Sequence, residues 1–396
     1  MISLLSLFSG IGAFESALDH IGCHYQLTGY CEIDPYASKS YAQIHGVSES
    51  LNLRDVTTID TALINLLGGA DLITYGFPCQ DISVAGKQRG FTDENGNITR
   101  SGLFFEALRV IKDLQPKYAI AENVKALTSK KFTEEFRTVL TGLDAAGYNN
   151  YYAVLNAKDY GIPQNRERVF IISIRKDCDA GLFSFPAPQE LKLRVKDMLE
   201  SEVDDKYYLT GEGAQRLIRA YAARVNETIT EPVICASRGR NPENPSDRTA
   251  RAPTEQRLEP KNDGTSNTIT TVSKDNLLLE PAPRILQIGN LIPDAGRKFN
   301  NPQTGRVYDP QGLSPTINTA QGGQREVKIL ETTQEAYRIR KLTPRECYRL
   351  MGFTDAEFDS IKGVSNTQLY KQAGNSIVVS VLEAIFNRLL TEEEKA

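Results

Sequence analysis

The chain has 396 residues, enough to bury a sizeable core and to form two or three domains. A hydrophobic content of 40% and a charged content of 24% are typical of a globular protein, and the net charge of −4 argues against a basic surface over the whole molecule. Six Cys without a C-x-x-C pair and three His near the N-terminus indicate neither a disulfide framework nor a metal site.

The N-terminal stretch from Met1 to Phe8 is apolar enough to pass for the core of a signal peptide. It lacks a basic region and a small-residue cleavage site, and Gly10 and Gly12 interrupt it, so a buried first strand is the better interpretation. No apolar run in the sequence reaches membrane-spanning length. We therefore expect a cytoplasmic protein with reduced thiols and no membrane partner.

As far as about residue 185, apolar strand-like runs alternate with helical patterns. Predicted strands cover residues 2–8, 27–33, 71–75, 118–121, 152–155 and 169–174, and predicted helices cover 13–21, a stretch opening at Pro35, 103–111 and 132–143. This alternation predicts an α/β protein with a mostly parallel sheet wrapped by helices.

The composition changes near Pro186 and Pro188. From Pro232 to Leu330 the chain is rich in Pro, Gly, Asn and Thr, with short β-like pieces such as Asn267 to Val272 and no helical period. This span holds 13 basic and 10 acidic residues, so it carries a charge of +3 and the remainder carries −7. Two interpretations stay open: a second domain that touches a polyanion, or a loop-rich surface domain with ordinary charge scatter.

Helical signals return after this span. Thr343 to Glu346 and Thr354 to Glu357 are capping boxes, and the first of them has Pro at the first helical position. A last helix is predicted after Asn375-Ser376, with apolar residues at helical spacing from Ile377 to Leu389.

A glycine-rich turn, Phe8-Ser9-Gly10-Ile11-Gly12, joins the first predicted strand to the first helix. Glycines at such a turn let backbone N–H groups approach a ligand, although an ordinary turn is the alternative. The third glycine of a dinucleotide fingerprint is replaced by Glu15, whose carboxylate disfavours a pyrophosphate. A cofactor without phosphates, such as S-adenosylmethionine, fits better. Glu32 and Asp55 follow later apolar stretches and suit ribose hydroxyls and an adenine amino group, although each taken alone is equally typical of a solvated turn carboxylate.

Gly76-Phe77-Pro78-Cys79-Gln80 follows a buried strand and places a thiol on a stiff loop at the carboxyl end of that strand. Cys79 is a nucleophile candidate, and a small buried hydrophobic residue is the alternative. Glu122 follows another apolar strand, where partial desolvation would raise its pKa and suit proton donation. Arg166 and Arg168 would point the same way on an extended backbone and suit a phosphate or a base edge, unless they pair with Glu167 at the surface.

Several of these motifs, in this order and spacing, are similar to those of the DNA (cytosine-5) methyltransferases. The resemblance covers about residues 1–185 and 338–390, and residues 190–330 match only as a variable insert. Ala13 stands where many members of the family carry Gly. The matching motifs are Phe-Ser-Gly-Ile-Gly, Gly-Phe-Pro-Cys-Gln, Glu-Asn-Val at 122–124, Gln-Asn-Arg-Glu-Arg at 164–168, Arg-Lys-Leu-Thr-Pro-Arg-Glu at 340–346 and Gln-Ala-Gly-Asn-Ser at 372–376.

The resemblance implies a Rossmann-like S-adenosylmethionine-dependent methyltransferase sheet with a smaller, loop-rich, β-containing target-recognition domain. Residues 1–187 would form the catalytic and cofactor-binding domain, 188–335 the recognition domain, and 336–396 a segment that returns to the large domain. The implied activity is sequence-specific methylation of cytosine C5 in double-stranded DNA, in a bacterial or phage restriction-modification setting, with the target base flipped out of the helix.

The resemblance also assigns the site residues. Cys79 would attack cytosine C6, Glu122 would hold and protonate N3, Arg168 would bind the O2 region, and Arg166 would help hold the active-site loop and the nucleotide backbone. The residues implied to bind S-adenosylmethionine are Phe8, Ser9, Gly10, Ile11, Gly12, Glu32, Ile33, Asp55, Val56, Pro78, Leu103, Asn375 and Ser376. No metal is implied.

The loop from Asp81 to Asn97 would act as a mobile clamp on DNA, or is an ordinary surface loop. Arg side chains of the insert would read guanine edges, and the stretch Asn318 to Gly323 would approach a groove. These arginines are Arg238, Arg240, Arg248, Arg251, Arg297, Arg306 and Arg325.

We expect a monomer that acts on nucleoid DNA, with a cognate restriction endonuclease possible at the same site. The alternatives are a tRNA cytosine-5 methyltransferase, a catalytically silent DNA-binding relative and, disfavoured by Glu15, a nicotinamide dehydrogenase.

Overall fold

A computed structural model describes most of residues 1–209 and 337–396 and short strands of the insert between them. The described residues are 1–66, 68–78, 82, 90–91, 99–193, 195–209, 233–241, 255–260, 277–279, 287–290, 306–310, 312–317, 326–332 and 337–396. The chain divides into two compact units, Met1–Ala214 with Ile285–Ala396, and Gln215–Arg284. The functional division at residues 187/188 and 335/336 stays a prediction.

The larger unit is built on a six-stranded sheet in the order β2-β1-β3-β4-β6-β5. Its strands are β1 Ile2–Leu7, β2 Tyr25–Cys31, β3 Leu72–Tyr75, β4 Tyr118–Val124, β5 Tyr148–Asn156 and β6 Glu167–Arg175. β1, β2, β3 and β4 pair in parallel, and β6 runs antiparallel to both β4 and β5. The predicted α/β fold with a mostly parallel sheet is confirmed.

Both faces of this sheet are buried. Successive residues of β1 face opposite sides, so that Leu4 belongs to one apolar cluster and Leu5 to the other. The first cluster packs the sheet against α1 and α9, and the second packs it against α4 and α5. The helices are α1 Ala13–His20, α2 Pro35–His45, α3 Thr61–Leu66, α4 Phe104–Leu114, α5 Thr133–Ala145, α6 Pro344–Arg349, α7 Asp355–Ser360, α8 Asn366–Asn375, α9 Val379–Leu389 and α10 Glu392–Lys395.

Some element boundaries differ from the prediction. β2 begins and ends two residues earlier, and β4 and β5 extend into polar sequence. Asn149 and Asn150 lie in β5 because they pair in register with Ile174 and Ser173 of β6. The polar end of β4 is likewise held by pairing, since Glu122 lies opposite Phe170. Ladder hydrogen bonds to a neighbouring strand thus override the hydrophobic pattern on which the prediction depended.

The C-terminal segment is helical. Both predicted capping boxes are present, with Thr343 paired to Glu346 and Thr354 to Glu357. A third capping box, between Thr391 and Glu394, begins α10 and was not predicted. The prediction also missed α8, which ends at Asn375 before α9 begins.

Two smaller sheets contain the described strands of the insert and its flanks. The five-stranded sheet has the order β11-β12-β13-β14-β7, and the three-stranded sheet of the smaller unit has the order β10-β8-β9. The strands are β7 Tyr208–Leu209, β8 Val233–Arg240, β9 Glu255–Pro260, β10 Leu277–Leu279, β11 Gln287–Asn290, β12 Arg306–Tyr308, β13 Lys328–Thr332 and β14 Tyr337–Lys341. β7, which precedes most of the insert in the chain, pairs antiparallel with β14, which follows the insert.

Candidate active site

The turn after β1 has an unusual backbone with an open side. Phe8, Gly10 and Gly12 have positive φ angles of 55°, 58° and 82°. Two backbone hydrogen bonds fix the turn: Ser9 N–H donates to the Cys31 carbonyl at 3.0 Å, and Gly12 N–H donates to the Ser9 carbonyl at 2.9 Å. A Cβ added to Gly10 would meet no atom within 4 Å. The turn therefore offers its backbone to a ligand on the side of Gly10.

Glu32 connects this turn to the loop after β2. Its Oε2 accepts a hydrogen bond from Gly10 N–H at 2.9 Å, and its Oε1 accepts one from Asp34 N–H at 2.7 Å. Burial raises the pKa of Glu32, and the two N–H donors oppose that rise. The next side chain, Ile33, is large, apolar and 73% exposed, which is unusual for isoleucine.

The other predicted cofactor residues differ in accessibility. Asp55 caps a short 3₁₀ helix and accepts a hydrogen bond from Thr57 N–H at 3.0 Å. Val56 is only 3% exposed and belongs to the core, so a ligand would reach its backbone more readily than its side chain. Pro78 and Leu103 are half-buried.

Glu15 was predicted to repel a phosphate at the turn, but its side chain does not face a ligand there. Its side chain is fully buried, and its Oε1 accepts a hydrogen bond from the Tyr41 hydroxyl at 2.9 Å. The carboxylate is therefore engaged at the contact between α1 and α2. Repulsion of a phosphate by Glu15 is not what distinguishes this turn from a dinucleotide site.

Glu122 and Arg168 form an ion pair at the carboxyl end of the sheet. Arg168 Nε lies 3.0 Å from Glu122 Oε1, and the two side chains are 18% and 12% exposed. Burial raises the pKa of Glu122, and the neighbouring Arg168 and Arg166 lower it without cancelling the rise. A shielded carboxyl group that holds its proton above the usual pH range is suited to proton donation.

The loop that leads to Cys79 is fastened beside Glu122. Asn123 Nδ2 donates a hydrogen bond to the Phe77 carbonyl at 3.0 Å, and Asn123 is 2% exposed. Cys79 and Gln80 lie outside the described residues. Phe77 is two positions before Cys79, so Asn123 ties the approach of this loop to the strand end that carries Glu122. The prediction gave Asn123 no role, although a buried amide inside a motif was a usable signal.

Only three residues of the predicted clamp, Asp81 to Asn97, are described. Ile82 is fully buried, and Phe91 is 5% exposed and stacks on Phe104 with ring centroids 5.8 Å apart. The clamp role stays a prediction.

Arg166 is buried and braces the C-terminal segment. Its guanidinium donates to the carbonyls of Ser376 at 2.5 Å, Gly374 at 3.4 Å and Ile317 at 3.3 Å. These three contacts are to protein backbone, and the predicted contact with a nucleotide backbone stays a prediction. The neighbouring Gln164 is fully buried and donates to the Leu350 carbonyl at 2.6 Å.

The segment of residues 312–317 lies along the Gln164–Arg166 stretch. Asn165 N–H donates to the Ser314 carbonyl at 2.8 Å, and Ser314 N–H donates to the Pro163 carbonyl at 2.7 Å. Thr316 adds a hydrogen bond from its hydroxyl to the Asn165 carbonyl at 3.0 Å. Composition could not reveal this contact, because it joins residues about 150 positions apart.

The C-terminal motif packs against the cofactor side of the sheet. Lys371 Nζ lies 2.6 Å from Asp34 Oδ2, and Gln372 Nε2 donates to the Tyr36 carbonyl at 2.9 Å. Asn375 is exposed at the end of α8, whereas Ser376 is 6% exposed. These contacts bring α8 beside the loop that carries Glu32. Gln372 was predicted only as part of a sequence motif and Lys371 was not predicted at all, because their partners lie more than 300 positions away.

The predicted base-reading residues are only partly visible. Arg306 lies in β12, and Arg238 and Arg240 lie in β8, of which the backbone alone is described. The remaining candidates lie outside the described residues, as does the β-like piece Asn267 to Val272. They are Arg248, Arg251, Arg297, Arg325 and the stretch Asn318 to Gly323.

The turn and its neighbours suit a nucleoside cofactor without phosphates. Glu32 is a carboxylate acceptor of the kind that holds ribose hydroxyls, Ile33 is an exposed apolar surface for a base, and the open side of Gly10 leaves room for the ligand. A mostly parallel sheet with such a turn at its first strand defines an α/β enzyme of the class that binds a nucleoside-containing cofactor. The Glu122–Arg168 pair at the same edge adds an acid beside a cation.

Comparison with known proteins identifies which enzymes of this class the chain resembles. The model of the C-5 cytosine-specific DNA methylase family matches residues 2–391. The orphan methyltransferase M.SPRI of Bacillus phage SPR is 34% identical over 453 aligned residues, covering 98% of this chain and 97% of the phage protein. The type II methyltransferase M.HhaI of Haemophilus parahaemolyticus is 30% identical over 390 residues, covering 97% of this chain and 93% of that protein.

The chain belongs to the C-5 cytosine-specific DNA methylase family. It is a DNA (cytosine-5-)-methyltransferase with DNA as its substrate and S-adenosylmethionine as its methyl donor. The crystal structure of the S. pombe Dnmt2 methyltransferase shares the fold, with a TM-score of 0.60 and 20% identity over 99% of this chain and 100% of that chain. No helix in the described part of the chain combines the length and apolar character of a membrane span.

Proposed function

We propose that the enzyme flips its target cytosine out of double-stranded DNA and uses Cys79 as a covalent nucleophile. Cytosine C5 is a poor nucleophile, and attack of the Cys79 thiolate on C6 makes C5 able to accept a methyl group. The target base cannot be reached inside a stacked duplex, so it must leave the helix first. The observation that carries the proposal is the buried Glu122–Arg168 pair, fastened through Asn123 to the loop that precedes Cys79.

Glu122 and Arg168 would divide the work on the base. The raised pKa of Glu122 lets it hold a proton and donate it toward N3 as the thiolate attacks C6, which neutralises the charge that develops on the ring. Arg168 would then face the O2 region. Bound S-adenosylmethionine supplies the methyl group for C5. Loss of the C5 proton to water, elimination of the Cys79 thiolate and return of the N3 proton to Glu122 would then release 5-methylcytosine and regenerate the enzyme.

Arg166 would act by positioning. Its three backbone acceptors belong to the C-terminal segment and to the 312–317 segment, which meet at the strand that carries Arg168. The cofactor would lie against residues 8–12, Glu32, Ile33 and Asp55, with backbone contact at Val56 and further contact at Pro78, Leu103, Asn375 and Ser376.

Covalent trapping tests the mechanism. Duplex DNA with 5-fluorocytosine at the target should form a stable adduct with the wild type, because fluorine at C5 cannot leave as a proton does. Cys79→Ser should abolish both the adduct and methyl transfer while it retains DNA and cofactor binding. Cys178→Ser, at a half-buried cysteine, is the matched control and should behave like the wild type. Near-normal turnover by Cys79→Ser would refute the nucleophile.

We further propose that the insert at residues 188–335 selects the DNA sequence and that the enzyme acts as a monomer in the cytoplasm, on nucleoid DNA. A restriction endonuclease, where one accompanies it, would cut the same site. Bisulfite sequencing of DNA from expressing cells would identify the target, and light scattering would measure the molecular mass. Methylation of tRNA is the alternative, and the match to the DNA methylase family model favours DNA. Methyl incorporation into tRNA with none into duplex DNA would reverse this choice.

A further inference from the structure

The back of the turn after β1 is occupied by His45, the last residue of α2. A Cβ placed on Gly12 would lie 2.0 Å from His45 Nε2 and 2.9 Å from Tyr41 Cε2. Gly12 is therefore required by two neighbours on α2 as well as by its positive φ of 82°. The side chain of His45, at the end of α2, stands directly against the turn.

His45 makes a specific contact with the turn. Its Nε2 lies 3.2 Å from the Ile11 carbonyl, and because a carbonyl only accepts, Nε2 must carry the hydrogen and donate it. Its Nδ1 lies 3.6 Å from Asp19 Oδ2, and the side chain is only 3% exposed. Burial lowers the pKa of His45. Asp19, Glu15 and the Ile11 carbonyl raise this pKa by more than burial lowers it, so the net shift is upward.

The imidazole is itself held in place. The Tyr41 ring lies 4.7 Å from it between centroids and stacks on Tyr30 of β2 at 3.9 Å. The Tyr41 hydroxyl is in turn fixed by Glu15 of α1. Residues of β2, α1 and α2 thus hold the imidazole of His45 in place. Its Nε2 contacts the turn at the Ile11 carbonyl, next to Gly10. On the opposite side, Gly10 N–H is held by Glu32.

We propose that His45 is a positioning residue for the cofactor: its Nε2–H fixes the Ile11 carbonyl and so keeps the Gly10 backbone in the shape that S-adenosylmethionine requires. His45 lies behind the turn, and its role is to hold the backbone rather than to touch the ligand. The inference rests on the proposed placement of the cofactor against residues 8–12 and Glu32. It predicts that a change at His45 alters cofactor affinity while the chemical step on DNA is retained.

A pair of amide substitutions separates the two nitrogens of His45. In His45→Gln the amide nitrogen takes the place of Nε2 and can still donate to Ile11, whereas in His45→Asn it takes the place of Nδ1 and cannot reach that carbonyl. We expect His45→Asn to weaken binding of S-adenosylhomocysteine, measured by calorimetry on the full chain, by about tenfold, the usual effect of one lost hydrogen bond. His45→Gln should stay within about threefold of the wild type.

Kinetics and stability provide the further readouts. His45→Asn should raise KM for S-adenosylmethionine in proportion to its loss of affinity, with kcat and DNA affinity near those of the wild type. The exposed His24, changed to Asn, is the matched control and should alter none of these quantities. Equal cofactor affinity in the Asn and Gln variants would overturn the proposal. A parallel loss of kcat, DNA binding and thermal stability in both variants would also overturn it, since it would indicate a merely structural role.

The variant Glu32→Ala separates a failure of the His45 proposal from a failure of the proposed cofactor placement against residues 8–12 and Glu32. If Glu32→Ala weakens binding and His45→Asn does not, the role of His45 is refuted and the cofactor site stands. If neither variant weakens binding, the placement of the cofactor against this turn is wrong as well.

Discussion

The proton on Glu122 is controlled by its immediate surroundings. The carboxyl group is 12% exposed and lies 3.0 Å from a guanidinium, so burial and the Arg168 charge act on its pKa in opposite directions and burial prevails. We expect Glu122→Gln to slow single-turnover methylation by roughly 10²-fold with cofactor affinity nearly unchanged, because the amide keeps the shape and cannot donate the same proton.

The same pKa shift sets the pH dependence of the reaction. Because the pKa of Glu122 is raised, the proton is retained to higher pH than in an ordinary carboxyl group, and the wild-type rate should fall as pH rises through that pKa. Glu122→Gln should lose this decline with rising pH. An unchanged chemical step in Glu122→Gln, measured at saturating DNA, would remove Glu122 from the mechanism.

Glu32 is the residue at which cofactor affinity is most directly testable. Glu32→Ala removes one acceptor that holds Gly10 and Asp34 and is proposed to hold the ribose hydroxyls. We expect a loss of about 1–3 kcal/mol in the binding free energy of S-adenosylmethionine, measured by calorimetry. Glu49→Ala, at an exposed carboxylate, is the control. An unchanged affinity in Glu32→Ala would contradict the assignment.

At the residue level, the sequence could predict identities but not partners. Glu122 and Glu32 were predicted because acidic residues follow apolar strands there, and Arg168 because it forms an Arg pair just before another strand. Arg166 was expected to help hold the active-site loop and the nucleotide backbone, which stays a prediction, and its described partners include backbone carbonyls of segments far away in the chain. Such contacts depend on how the C-terminal segment packs, and no local pattern encodes that packing.

At the level of elements, His20 joins three helices. His20 lies at the end of α1. Its Nδ1 lies 2.7 Å from Oε1 of Glu383 in α9, and its Nε2 lies 3.2 Å from Oε2 of Glu357 in α7. The hydrogen bonds that His20 donates to Glu357 and Glu383 raise the pKa of His20 to about 10. Burial opposes ionisation of Glu357, yet its hydrogen bonds with His20, Ser16 and Thr354 together prevail and lower the pKa of Glu357 to about 2.

This cluster predicts a pH-dependent stability. The raised pKa of His20 gives stability that is present below its ordinary value of 6.5 and lost as pH rises through about 10, and the lowered pKa of Glu357 gives stability that is lost as pH falls from 4.5 through about 2. His20→Gln should therefore cost about 1–2 kcal/mol of unfolding free energy near pH 6 and little above pH 10. Thermal unfolding across this range, with His24→Gln as the control, measures it. A cost independent of pH would exclude the charged pair.

Element prediction succeeded where the hydrophobic period was strong and failed where it was weak. Helix α4 was expected from its apolar stripe and lies where predicted. Helix α8 was missed because its sequence, Asn-Thr-Gln-Leu-Tyr-Lys-Gln-Ala-Gly-Asn, is largely polar. Its buried residues include Gln372, whose side chain accepts from the Tyr348 hydroxyl at 2.8 Å and from the Ser40 hydroxyl at 3.0 Å. Polar burial of this kind stabilises a helix without leaving a hydrophobic pattern.

At the level of the whole molecule, we expect specificity and chemistry to be separable. Replacing residues 210–336 with the equivalent insert of a relative, which must bring its own counterpart of the 312–317 segment that contacts Asn165 and Arg166, should transfer the methylated sequence and leave cofactor affinity unchanged. The exchange points fall just inside β7 and β14, whose pairing of Leu209 with Ile339 belongs to the larger unit and is retained. Bisulfite sequencing identifies the new target and calorimetry checks the cofactor. A folded, active chimera that still modifies the original sequence would place recognition elsewhere in the chain.

The pairing of β7 with β14 also has a consequence for how this protein can change over time. The chain segment from Leu209 to Tyr337 begins and ends on two paired strands, β7 and β14. The pairing holds the two ends of this segment together. The entropy cost of closing such a loop grows only with the logarithm of its length, and doubling the length costs about 0.6 kcal/mol. Insertions, deletions and replacements in the smaller unit, residues 215–284, therefore cost the rest of the chain little, whereas Ile317 and Ile329 of the larger unit are core residues and must be kept. We therefore expect related enzymes to differ by large changes in the smaller unit, which is part of the insert proposed to select the DNA sequence, while the residues that methylate cytosine are retained.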